Sequence, residues 1–167
     1  YYDSVPLVCF TGQVSRPLIG NDAFQEVDIV GITRSITKYG VMVKNRDDLG
    51  RIIKEAFYIA RSGRPGPVVI DLPKDVMAEL GDPEYPSEVN IRGYKPNTMA
   101  HVGQLKRAMK MLNKAKRPLF LVGGGVKISH ASEEFTELVN ITNVPVVTTI
   151  MGRGAIPTNH PLYIGNL

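Results

Sequence analysis

Cysteine occurs once in the 167 residues, so no internal disulfide can staple this chain. That residue, Cys9, sits in the apolar run Val5-Pro6-Leu7-Val8-Cys9-Phe10, where it reads as a small buried hydrophobe in a reducing compartment. Nothing beside it in the sequence marks an activated nucleophile. Histidine is nearly as scarce. His101, His130 and His160 lie about thirty residues apart, with no cysteine or carboxylate at ligand spacing, which leaves no readable metal site. No apolar run nears the ~20 residues of a membrane span, and the start of the chain lacks a signal-peptide pattern. Charge is mild: 20 Lys and Arg against 16 Asp and Glu give a net +4, scattered rather than clustered, which argues against nucleic acid as a partner. The 43% hydrophobic and 22% charged fractions are ordinary for a soluble globular protein. An initiating Met is lacking too. With Tyr1-Tyr2-Asp3-Ser4 at one end and Tyr163-Ile164-Gly165-Asn166-Leu167 at the other, the sequence reads as an internal fragment of a longer protein.

What the chain does have is glycine and proline punctuation. The stretch Ser62-Gly63-Arg64-Pro65-Gly66-Pro67-Val68-Val69-Ile70-Asp71-Leu72-Pro73-Lys74-Asp75-Val76 reads as a helix stop, a rigid turn, a buried strand over 68–72 and a polar exit. Gly63 suits the left-handed position after a helix, and Pro65 and Pro67 cannot continue that helix. The strand delivers Asp71, Lys74 and Asp75 to the sheet edge where open α/β sheets place ligands. Arg64 at its entry and Lys74 at its exit can each hold an anion. The alternative is a plain helix-to-strand connection with solvated charges.

Upstream, residues 5–10 read as a buried strand ending in Thr11-Gly12-Gln13. Asp22 and Gln25 have capping-box spacing, which predicts a short helix through about Val30 with Phe24 and Gln25 in its first turn, near free amides that favour anions. Phe24 as core and Gln25 as a mere cap is the alternative. Residues 37–43 predict a second strand, with Lys38 an outward-facing lysine on it. Asn45 can cap a helix whose apolar positions Leu49, Ile52, Ile53, Ala56, Phe57 and Ala60 recur at helical spacing and read as core.

Residues 77–100, with Pro83, Pro86 and Pro96, read as an interdomain linker, giving a first domain over 1–76 and a second over 101–167. In the second, 104–116 predicts a helix with Leu105, Ala108, Met109 and Leu112 as core. A strand over 118–122 runs into Gly123-Gly124-Gly125, then a helix over 132–142 with Phe135, Leu138 and Val139 on one face, then a strand over 144–150. That βαβ unit should be parallel and right-handed. Its two glycine-rich turns, 123–125 and 148–154, fall at one sheet edge and favour a nucleotide-like ligand. The spacing is not G-x-G-x-x-G and no acidic residue closes the next strand, which argues against NAD and leaves tight turns as the alternative. Alternating strands and helices place the chain in the α/β class.

The GRPGPV and PKDV segments, with Gly12-Gln13-Val14, Ile19-Gly20-Asn21-Asp22-Ala23-Phe24-Gln25-Glu26 and Thr33-Arg34-Ser35-Ile36-Thr37-Lys38, resemble the acetolactate (acetohydroxyacid) synthase catalytic subunits of the thiamine diphosphate enzymes. The likeness runs through essentially the whole chain. It implies the C-terminal part of a pyrimidine-binding domain followed by the first part of a Rossmann-like, doubly wound parallel-sheet central domain. The implied activity decarboxylates pyruvate on thiamine diphosphate and condenses the product with a second 2-oxo acid, in valine, leucine and isoleucine biosynthesis. Resemblance assigns Phe24, Gln25, Lys38 and Lys74 to the substrate channel, and Arg64, Gly124, Gly125, Thr149, Ile150, Met151 and Gly152 to flavin adenine dinucleotide. In this family that flavin is required but does no net redox work. The activating glutamate would lie upstream of this chain and the diphosphate- and magnesium-binding domain downstream, so no catalytic or metal-binding residue is expected within it and the chain alone should be inactive. A cytoplasmic homodimer or tetramer with a small regulatory subunit is implied. Ser15 departs from the proline many relatives carry there, which bears on inhibitor sensitivity. Glyoxylate carboligase, pyruvate oxidase and a noncatalytic nucleotide-binding module are the rival readings.

Overall fold

The computed structural model describes residues 1–82 and 84–167; Pro83, one of the three prolines of the linker reading, lies outside the described residues. The chain forms two compact units, Tyr1–Met99 and Ala100–Leu167.

The first unit is built on three parallel strands, β1 (Leu7–Gln13), β2 (Tyr39–Met42) and β3 (Pro67–Pro73), in the order β1-β3-β2. The central position of β3 explains its unbroken Val68-Val69-Ile70 run, because a strand flanked on both sides and covered on both faces has no solvent side to alternate toward. Val68 and Ile70 are fully buried with Val43, and the helix α2 (Leu49–Arg61) adds Ile52, Ala56, Ile59 and Ala60. Phe57, expected on this stripe, is instead 49% exposed, since the buried arc of α2 turns through Ile59. Asn45 does cap, but it caps a 3-10 turn, Arg46–Asp48, that leads into the helix. Gly63 takes φ +58 directly after α2, as the helix stop requires.

Several predicted bounds shift. β1 starts at Leu7 and runs on to Gln13 because its ladder with β3 continues through Thr11↔Asp71 and Gln13↔Pro73. Cys9 lies on this edge strand and is half-buried rather than core. The helix predicted from Asp22 is absent. Residues 21–28 are turns and irregular backbone, and the helix α1 (Ile29–Thr33) starts later with Asp28 as its cap. After β3 comes a short helix, α3 (Lys74–Ala78). Residues 79–99 carry no helix or strand among the described residues, yet Ile91 and Tyr94 pack on the first unit's core and Lys54 donates to the Ser87 carbonyl at 2.6 Å.

The second unit contains α4 (Val102–Lys114), β4 (Phe120–Val122), α5 (Gly125–Ile128), α6 (Ser132–Thr142), β5 (Val146–Thr148) and β6 (Tyr163–Asn166), its strands parallel in the order β4-β5-β6. The core is Val122, Val139, Val146, Ala155 and Ile156, with the rings of Phe120 and Phe135 edge to face at 5.8 Å. Asn143 ends α6 in the left-handed conformation, φ +52. Sequence reading missed β6, a strand of only four residues whose register against β5 slips between Val146 and Val147. It also misjudged α4: Leu105 and Met109 are about half exposed, and the helix buries no residue.

Candidate functional site

At the C-terminal edge of the first sheet, the parallel register sets Thr11 beside Asp71. Asp71 is 1% exposed, and its carboxylate accepts from the Thr11 hydroxyl at 2.6 Å and from the Gln13 amide at 3.1 Å, which satisfies an otherwise costly buried charge. The second Gln13 N–H donates to the Val27 carbonyl at 2.7 Å, and its Oε1 accepts from the Val14 amide at 2.9 Å. A cavity of about 390 Å³ opens above these groups, lined by Gln13, Val27, Val41, Met42, Lys44 and Asp71 among others.

The rim of this edge is the 20–28 segment. Here the capping-box reading fails for a physical reason: the Glu26 carboxylate takes the Ala23 amide at 2.9 Å and the Gly20 amide, closing a loop where a helix would have begun. Those backbone donors hold the Glu26 carboxyl below its ordinary range. Asp22 and Gln25 adopt positive φ, +52 and +64, conformations that exclude a helix. Phe24 and Gln25 therefore sit on an exposed loop, with Phe24 89% exposed, and not at a helix N-terminus.

Lys74 is the first residue of α3, exposed at the same edge. Beside it lies a cluster that sequence reading missed. Arg16 donates to Asp75 from its backbone (2.9 Å) and from Nε (2.6 Å), to Glu79 from a terminal nitrogen, and to the Lys44 carbonyl at 2.9 Å. The Arg16 hydrogen bonds hold the Asp75 carboxyl below its ordinary value. The partners are 59 residues apart in sequence, and no local pattern announces them.

Lys38 and Arg64 lie at the opposite, N-terminal edge. Lys38 precedes β2, and its ammonium donates to the Ile59 carbonyl, to the Ser62 carbonyl at 2.8 Å and to the Tyr94 hydroxyl at 3.0 Å. It thus neutralises the carbonyl end of α2 instead of pointing to solvent. Burial acts to raise the Tyr94 phenol, but its hydrogen bonds with Ser62 and Lys38 outweigh it and bring the group below its ordinary value. Arg64 donates to the Ser4 hydroxyl at 2.9 Å and the Tyr2 carbonyl at 2.8 Å, and lies 5.3 Å from the Tyr1 ring.

In the second unit, the turns after β4 and β5 meet at one edge. The Thr149 amide donates to the Val122 carbonyl at 2.9 Å, and the Thr149 hydroxyl accepts from the Gly152 amide at 3.2 Å. Gly152 is a packing requirement: a Cβ there would come within 2.2 Å of the Val122 carbonyl oxygen. Gly124 lies against Met151, its Cβ position 3.2 Å from the Met151 Cβ, whereas a Cβ on Gly125 would meet nothing within 4 Å. Ile150 is 72% exposed and Met151 44%. Open space at Gly125 and the exposed apolar side chains of Ile150 and Met151 leave this edge accessible.

Two of the three histidines serve locally. His101 caps α4 by accepting from the Gly103 amide, and His160 is hydrogen-bonded to Asn140. Among the described residues no helix is long and apolar enough to cross a membrane, and no cluster of three His, Cys, Asp or Glu side chains is arranged to hold a metal.

Residues 105–167 match the family described as thiamine pyrophosphate enzyme, central domain. A solved structure of a Mycobacterium smegmatis protein, described as a thiamin diphosphate-dependent enzyme, has a TM-score of 0.80 over 100% of this chain and 32% of its own, at 22% identity, which bears on the fold alone. Over residues 105–167, with their parallel α/β architecture, the chain carries the central domain of the thiamine pyrophosphate enzyme family. Within that family it aligns along nearly all its length with acetolactate synthases. It is 49% identical over 163 residues to the acetolactate synthase of Mycobacterium bovis, covering 98% of this chain and 26% of the relative. It is 46% identical over 169 residues to the isozyme 3 large subunit of Escherichia coli K12, covering 100% and 29%. The chain thus spans between a quarter and a third of the length of these relatives.

Proposed function

We propose that this chain is a working part of an acetolactate synthase large subunit, which decarboxylates pyruvate and condenses the product with a second 2-oxo acid in branched-chain amino acid biosynthesis. The observation that carries the reading is 46–49% identity to proteins of that name across nearly every residue. Thiamine diphosphate with magnesium supplies the electron sink for decarboxylation, and the residues of this chain bind, orient and exclude water. Phe24, Gln25 and Lys74, on one sheet edge, form the substrate approach, where the exposed Lys74 ammonium meets the 2-oxo acid carboxylate. Lys38, with its ammonium on the end of α2, supports that sheet from the other edge.

Flavin adenine dinucleotide is the ligand of the Gly124, Gly125, Thr149, Ile150, Met151 and Gly152 edge, with the open backbone at Gly125 as the supporting observation. The flavin assignment of Arg64 rests on resemblance alone. A cytoplasmic homo-oligomer with a small regulatory subunit completes the reading. The test is replacement of the matching segment of the Escherichia coli isozyme 3 large subunit by this chain, followed by assay of acetolactate from pyruvate. Retained synthesis is expected. A folded, cofactor-loaded chimera without it overturns the reading. Titration of the chain with flavin adenine dinucleotide against NAD checks the second edge separately, and preference for NAD would favour a nucleotide-binding module.

A further inference from the structure

We infer that Asp71 is a positioning residue for the loop that carries Phe24 and Gln25, acting through Gln13. The side-chain amide of Gln13 has two N–H donors and the structure uses both: one on the buried Asp71 carboxylate, one on the Val27 carbonyl at the end of the loop. Its oxygen is occupied by the Val14 amide. With both donors and one lone pair of the oxygen in use, the orientation of the amide is determined, because a flip would place its N–H groups against the Val14 N–H and its oxygen against Asp71. Asp71 is held in turn by Thr11, across the β1–β3 ladder. The chain of contacts therefore runs from the central strand, through Asp71 and Gln13, to Val27.

This tether matters because the loop's other hydrogen bonds, such as that from the Asn21 side-chain amide to the Pro17 carbonyl, reach only neighbours in sequence. The loop is not helical, it holds Asp22 and Gln25 at positive φ, and the Glu26 carboxylate closes it only onto itself. Asp71 makes no hydrogen bond to the loop, so a purely local view assigns it to the sheet alone. That the tether positions the substrate approach rests on the acetolactate synthase reading; that it positions the loop does not.

The test is residue-resolved backbone hydrogen exchange on the full 167-residue chain, with the Gly20, Ala23 and Glu26 amides as loop reporters and the Val43 amide, bonded to the Asp71 carbonyl, as the core reference. Asp71→Asn leaves a single, uncharged acceptor oxygen for the Thr11 hydroxyl and the Gln13 N–H, so the Gln13 bond loses its charge assistance and, where the oxygen turns to Thr11, gives way to a donor–donor clash that releases Val27. Loop exchange should rise about tenfold, more than that of the core reference. Loop and core accelerating together, or an unchanged loop, overturns the inference. The double variant Gln13→Glu with Asp71→Asn restores the pair with donor and acceptor exchanged but leaves Val27 without a donor. A loop that stays fast while the core returns to its original rate supports the tether, and a loop that returns with the core overturns it. Chimera activity reports the function reading independently, so an inactive chimera with a loosened Asp71→Asn loop sinks the reading and not the tether.

Discussion

The helices α2 and α4 are each 13 residues long and carry the same kind of amphipathic stripe, yet α2 buries Ile52, Ala56, Ile59 and Ala60 while α4 buries nothing. The difference lies in what each unit offers them. In the first, β3 is seven residues long and flanked on both sides, and its Val68 and Ile70 meet the α2 face in one closed cluster. In the second, the strands are three or four residues long and the core of five residues is closed by α6 and the 155–156 segment, without α4. A stripe names the side of a helix that is fit for burial; whether burial follows depends on a partner surface elsewhere in the chain.

The sharpest way to break this comparison is truncation on each side. Ile70→Ala, at a fully buried site, should cost about 2–5 kcal/mol through lost transfer energy and a residual cavity. Leu105→Ala on α4, at a 53% exposed site, should stay within about 0.5 kcal/mol. Urea unfolding midpoints check both. Equal costs would mean that α4 is as well covered as α2 and that the contrast is false.

Glycine provides the next contrast, inside the second unit. Gly152→Ala drives a Cβ into the Val122 carbonyl, and backbone has to move, at a cost of about 1–3 kcal/mol. Gly125→Ala enters open space on α5, so the free chain should tolerate it or gain slightly from the helix preference of alanine. If Gly125 faces the flavin as proposed, its variant should lose flavin affinity without losing stability, and Gly152→Ala should lose both. Thermal denaturation and flavin titration together separate the two roles.

How much of this was legible in the sequence follows the same division between local and distant causes. The stop at Gly63, the strand read over 68–72 within Pro67–Pro73, α2, α6 and the two glycine turns all depend on nearest neighbours and were readable. The family was readable because GRPGPV, PKDV and DAFQE occur together at fixed spacing. The loop at 20–28 was not: Asp22 and Gln25 imitate a capping box, and only the closure of Glu26 onto Gly20 and Ala23 reveals otherwise. Nor were the Arg16–Asp75 pair, the Lys38 cap on α2 or the Asp71–Gln13 tether, each joining residues more than twenty positions apart. Position in the fold also divided the proposed channel set, since Lys38 falls at the N-terminal sheet edge and Lys74 at the C-terminal one.

A smaller effect sharpens the picture of the first unit. Ser15 has φ −59 and ψ 143, values that a proline adopts without strain. Ser15→Pro should raise stability by about 0.4–1 kcal/mol by narrowing the unfolded ensemble. A fall in the unfolding midpoint would show that the Ser15 amide or the preceding turn cannot accept the ring, and that this edge is less regular than its dihedrals indicate.

The smallest expected effect is one of acid. Asp75 and Glu26 both have carboxyls held below their ordinary values, Asp75 by Arg16 and Glu26 by the Gly20 and Ala23 amides. A depressed native value means that the unfolded chain takes up protons first, so the stabilisation is present above the ordinary carboxylate range and is lost as pH falls through the lower native values. Both groups are partly open to solvent and screened, which keeps the effect small. The unfolding midpoint of the first unit should therefore fall between neutral pH and strongly acid conditions, and Asp75→Asn should flatten that slope while lowering the neutral-pH plateau. An unchanged slope in the variant would show that the Arg16–Asp75 pair adds nothing to the first unit, and that its advantage over the second rests on the β3–α2 core alone.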